Sequence, residues 1–113
     1  MTNGNAELGE SLEPAGATGW TFLTNHAHVL LTIARDPQTT MRRVAAGVGI
    51  TERATQKIVA DLVAAGYLTK TRHGRRNSYI VATGRPFRHP LTAGHGLDEL
   101  LDVLVLDKRS IIR

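Results

Sequence analysis

TMRRVAAGVGITERATQKIVADLVAAG, residues 40–66, reads as two helices joined by a short turn. Thr40 can accept a backbone N–H and start the first helix, Met41 to Val48, with Val44, Ala45 and Val48 facing inward. Gly49 tolerates positive φ and stops that helix. Ile50 follows as an apolar plug, and Thr51 is a second N-cap. The next helix runs from Glu52 to about Ala65. Thr55, Ile58, Val59, Leu62 and Val63 recur at i, i+3, i+4, i+7 and form one apolar stripe. Gly66 is its stop.

Upstream, Thr24 caps a helix over Asn25–Arg35. Leu23, Ala27, Leu30 and Ala34 recur on one side, with His26, Val29 and Ile33 beside them. Asp36-Pro37 ends it, because the residue before proline avoids the α region. Downstream, Tyr67–Arg72 and Ser78–Val81 alternate like half-buried strands around a polar turn, His73–Asn77, so a β-hairpin is expected. A last helix is expected over Leu97–Leu106. Leu97, Leu100, Leu101 and Leu104 fall on one face, and Asp98, Glu99 and Asp102 on the other.

These elements divide the chain into four stretches. Residues 1–19 hold few large apolar groups and are expected to be a disordered tail. The cluster Trp20, Phe22, Leu23 marks the start of a folded domain over 20–84. An irregular linker covers 85–96, and 97–113 is a C-terminal helix with a fraying end. The fold class is α+β and mostly helical: three helices, a β-hairpin and an additional helix.

Composition narrows the function. The chain has 113 residues, no cysteine, and net charge +4. Disulfides and thiolate metal sites are excluded. No apolar run reaches the roughly 20 residues that span a bilayer. The N-terminus carries Glu7, Glu10 and Glu13 with no basic residue, unlike a targeting peptide, so a soluble cytoplasmic protein is expected. His26 and His28 point to different sides of a helix, and His89 and His95 flank a Pro/Gly-rich loop, so no metal site is expected. Gly47-Val48-Gly49 follows a helix rather than a strand and is no dinucleotide fingerprint. No nucleophile elbow or carboxylate pair supports catalysis, and no cofactor is implied. The basic charge is concentrated: Lys70, Arg72, Arg75, Arg76, Arg85 and Arg88 occur without an acid between them. Such a surface suits a polyanion, whose condensed counterions are released on binding.

Two helices with a Gly-containing turn form a helix-turn-helix, which presents its second helix to the DNA major groove. Burial of Thr55, Ile58, Val59 and Leu62 leaves Glu52, Arg53, Gln56 and Lys57 facing outward. Arg53 suits guanine, Gln56 suits adenine, and Glu52 can accept from cytosine or cap the helix. Lys57, Thr40, Thr51 and Arg42 suit phosphates, with Thr39 and Arg43 beside them. On the hairpin, Arg72, Arg75, Arg76 and Asn77 suit the backbone or a narrow minor groove.

From Trp20 to about Leu106 the sequence resembles the small winged helix-turn-helix regulators of the MarR/ArsR-like group. The segments that carry the likeness are WTFLTNHAHVLL (20–31), VGITERATQKIV (48–59), LVAAGYL (62–68) and GRRNSY (74–79). The resemblance implies a DNA-binding transcriptional regulator working as a homodimer. The pairing surface expected from the pattern is Leu97, Leu100, Leu101 and Leu104 with Trp20 and Phe22. A two-fold dimer sets two reading helices about one DNA turn apart and implies a near-palindromic operator, with repression as the outcome. The rival reading is a winged-helix protein-interaction module without a DNA role.

Overall fold

The computed structural model describes residues 19–105. The expected tail at 1–18, and Leu106 with the C-terminal end, lie outside the described residues. In chain order the elements are α1 (Asn25–Arg35), α2 (Met41–Val48), α3 (Glu52–Ala64), β1 (Leu68–His73), β2 (Arg76–Val81) and α4 (Leu97–Leu104). This is a winged helix with a C-terminal helix.

Each of the first three helices opens on a threonine. Thr24, Thr40 and Thr51 accept the backbone N–H groups of Ala27, Arg43 and Ala54 at 3.3, 3.2 and 3.0 Å. Each cap satisfies one orphan donor of a first turn. Gly49 ends α2 in the left-handed region at φ +89°, where a side chain would be strained. It redirects the chain so that α3 crosses α2.

The core gathers Val29 and Ile33 of α1, Val44 of α2, Ile58 and Leu62 of α3, Leu68 and Tyr79 of the hairpin, and Leu97 and Leu101 of α4. Thr55 is fully buried but satisfied, its hydroxyl donating to Thr51 O at 2.9 Å. Val63, at the edge of the expected stripe, is 38% exposed. Trp20 and Phe22 do not open the core. They are 77% and 91% exposed and meet edge to face at 5.1 Å. Folded packing begins at Leu23, which sits partly buried against the core.

The hairpin is longer and tighter than its sequence suggests. Pairing runs from Leu68↔Val81 to His73↔Arg76, leaving Gly74-Arg75 as the reversal. Gly74 at φ +63° makes so short a turn possible, and the ladder then takes in His73, Arg76 and Asn77, expected in the turn. Tyr67, expected in the first strand, precedes it. Its buried ring donates its hydroxyl to Pro86 O at 2.7 Å.

Residues 85–96 fold back on themselves. Phe87 N bonds His95 O at 3.0 Å and Leu97 N bonds Arg85 O at 3.0 Å, so both ends of the loop are pinned together. Arg85 donates from Nε and Nη2 to Ala65 O, at 3.2 and 3.0 Å, closing the C-terminus of α3. The loop delivers α4 against α1, where Arg35 Nη2 donates to Leu104 O at 2.8 Å. No helix among the described residues is long and apolar enough to cross a membrane.

Candidate nucleic-acid interface

With Thr55, Ile58, Val59 and Leu62 turned into the core, the first two turns of α3 project Glu52, Arg53, Gln56 and Lys57 outward, all exposed. Arg53 and Gln56 lie on this face without an ion pair among the described residues. Glu52 is drawn to Arg42 Nε at 3.6 Å, which ties the first turn of α3 to that of α2. Lys57 Nζ stands 3.9 Å from Asp61. Both pairs are open to water and loosely held, so either cation can be given up to a stronger anion at little cost.

Asp61 also accepts from His26 Nε2 at 2.8 Å. That hydrogen bond, with Lys57 and Arg88 nearby, holds its carboxyl below the usual aspartate value of 3.8. The carboxylate therefore stays charged and anchors the last turn of α3 to α1.

The wing meets the helices at a defined point. Tyr79 N donates to Pro37 O at 3.1 Å, locking β2 onto the α1–α2 loop. A cleft of about 470 Å³ results, with Thr39, Thr40 and Arg43 on one wall and Arg75, Arg76 and Asn77 on the other. The first turn of α2 thus stands between the two cationic features: Arg42 leans toward α3, and Arg43 opens on the wing.

The structure brings Thr40 together with Arg75, Arg76 and Asn77, and Arg42 together with Glu52. Thr40 and Thr51 spend their hydroxyls as helix caps. Arg72 folds over its own turn, Nε donating to Gly74 O at 3.1 Å. Arg43 and Thr39 belong to the wing cleft, a position the sequence did not assign because the Tyr79–Pro37 contact spans 42 residues.

The six residues expected to pair two chains are split. Leu97 and Leu101 are buried in this chain's own core at 1% and 7% exposure, and Leu100 and Leu104 pack partly against it. Trp20 and Phe22 remain on the surface. Among the described residues no group of three or more His, Asp or Glu stands close enough to hold a metal ion.

A comparison with curated proteins returns no match. A comparison with protein-family models matches the MarR family over residues 20–76, half of the chain, spanning α1, the helix-turn-helix and the first strand of the wing. A helix-turn-helix of this shape, a wing fastened to the loop that leads into it and a family match over residues 20–76 make this chain a member of the MarR family of winged-helix transcription regulators.

Proposed function

We propose that the chain binds double-stranded DNA in a sequence-specific manner, as a homodimer, and represses transcription from a near-palindromic operator. The observation that carries this reading is that cations stand on three elements in turn: Arg53 and Lys57 are exposed on α3, Arg42 of α2 reaches α3 through Glu52, and Arg43 of α2 shares a cleft with Arg75 and Arg76 of the wing. An interaction module needs no such run of cations. In this reading α3 enters the major groove, Arg53 and Gln56 read base edges, and Lys57 and the wing hold phosphates. The exposed Trp20–Phe22 pair provides apolar surface for the second copy. A cytoplasmic location goes with a protein that acts on DNA.

Fluorescence anisotropy on a duplex from the chain's own upstream region tests the reading. Arg53→Ala should weaken binding by about 5- to 150-fold and relax preference at one base pair. Lys57→Ala and Arg75→Ala should weaken all duplexes evenly, each flattening the salt slope by about one unit. If all three variants bind like the parent, the DNA interface is wrong and the interaction-module reading takes its place.

A further inference from the structure

Two histidines among the described residues bond carboxylates. His95 Nδ1 meets Glu99 Oε1 at 2.6 Å, and Glu99 also accepts from Gly96 N at 3.2 Å, so that pair is local to the start of α4. His26 and Asp61 instead join α1 to α3 across 35 residues, and the oxygen that joins them has a second claimant. His26 Nε2 stands 2.8 Å from Asp61 Oδ2, and Lys57 Nζ stands 3.9 Å from that same oxygen. Lys57 is one of the cations that α3 offers to a phosphate. Asp61 follows it by one turn on the same side of the helix, so a carboxylate competes with the phosphate for that amine.

Protonation decides how that oxygen is divided. The His26 bond holds the Asp61 carboxyl below its ordinary value, so at neutral pH the carboxylate only accepts. A neutral imidazole then carries its hydrogen on Nε2 and donates it, leaving the carboxylate's charge to attract Lys57. A proton added at Nδ1 makes the imidazole a cation, and the His26–Asp61 pair becomes neutral as a whole. Lys57, its side chain 79% exposed, then loses its local counter-charge and is free to meet a phosphate. The other cations around this point keep their charge. Arg85 and Arg88 line the same hollow as His26 and Asp61. Arg85 is committed to Ala65 O, and Arg88 acts on Asp61 without forming an ion pair with it among the described residues. On α1 itself, His28 turns to Asn25 Oδ1 at 3.3 Å. Imidazole is the side chain whose charge ordinarily changes between about pH 5 and 8, and His26 is the imidazole of this cluster.

We propose that His26 and Asp61 are positioning residues for Lys57, and that His26 takes up a proton when Lys57 engages a DNA phosphate, so that duplex affinity rises as pH falls. This rests on the DNA reading, in which Lys57 holds a phosphate. The sign follows from reciprocity. Phosphate draws Lys57 away from Asp61, which leaves the carboxylate to His26 alone and favours the charged imidazole. Protons that are favoured by binding favour binding in return. The pair that is exchanged is exposed, so the gain is modest, about two- to fivefold for each Lys57 on the duplex.

The test is duplex anisotropy on the full chain from about pH 8 to about pH 6 at constant ionic strength. Calorimetry in two buffers of different ionisation enthalpy counts the protons. The parent should bind more tightly at the lower pH and take up protons as it binds. His26→Gln, which still donates to Asp61 but cannot charge, should lose most of the gain, and His28→Gln should keep it. Asp61→Asn should bind more tightly than the parent at the higher pH and gain little more on acidification. Lys57→Ala should weaken binding throughout and remove the gain as well. Lys57 is exposed enough for that variant to fold, so it carries the test if His26→Gln melts early. A gain that survives His26→Gln belongs to another histidine, and one that survives Lys57→Ala is the imidazole charge acting on DNA directly; either overturns the proposal. If Arg53→Ala weakens the duplex but the parent shows no gain, the proposal falls and the DNA reading stands. If the parent binds no duplex, both fall.

Discussion

Leu97→Ala separates a helix that completes its own domain from one that exists to pair two chains. Leu97 is 1% exposed and belongs to the same apolar cluster as Val29, Ile33 and Leu68. The substitution removes three buried carbons, worth about 2.4 kcal/mol at about 0.8 kcal/mol each. A residual cavity adds to this, so a total loss of about 3–4 kcal/mol is expected, inside the usual range for Leu→Ala in a core. With a urea m-value of about 1–1.5 kcal/mol/M for a domain of this size, the unfolding midpoint falls by about 2–4 M. Because the contacts are intramolecular, the loss should be the same at micromolar and at hundredfold higher protein concentration. Val103→Ala is the control: at 62% exposure on the same helix, it should change stability by no more than about 0.5 kcal/mol. Urea melts followed by circular dichroism measure both. A Leu97→Ala loss below about 1 kcal/mol, or one that disappears as concentration rises, would place Leu97 against a second copy and refute this assignment of α4.

Further outcomes follow from single features. Thr51→Ala removes the cap of α3 and should cost about 1 kcal/mol in thermal or urea melts, with Thr51→Gly milder. Gly66→Ala sets a side chain at φ +85° and puts its Cβ 2.7 Å from Arg85 Nη2, so it should cost at least about 1–2 kcal/mol and release the arginine from Ala65 O. Gly47→Ala, in open space within α2, should instead stabilise by about 0.5–1 kcal/mol. Asp61 is lowered by its bond to His26, so its contribution is present above its unfolded pKa and is lost as pH falls through its folded value, below 3.8. Asp61→Asn should therefore flatten the acid limb of a stability-against-pH profile and leave the neutral-to-alkaline limb in place.

Much of the fold is legible because its signals are local. The threonines at 24, 40 and 51 cap the helices they were expected to cap, and Gly49 stops α2. The stripe from Thr55 to Leu62 is buried as its spacing requires, which also exposes Arg53, Gln56 and Lys57. The hairpin is placed correctly but drawn too short, since the polar residues at its tip alternate weakly and only the ladder shows that they pair. Trp20 and Phe22, expected on a pairing surface, stand exposed, yet nothing local says which apolar side chains find room inside and which stay out.

By itself the sequence determined where the first three helices start and stop, within a residue, and which side of α3 carries charge, because caps, glycines and a repeat of 3.6 residues act over a few positions; α4, expected to reach Leu106, ends at Leu104. Tertiary structure alone decided that Arg43 opens on the wing, that Arg85 closes α3, and that α4 lies in its own domain's core. Those outcomes rest on contacts such as Tyr79 to Pro37 and Arg35 to Leu104, between residues far apart in the chain. Their partners are chosen by packing, which no single segment encodes.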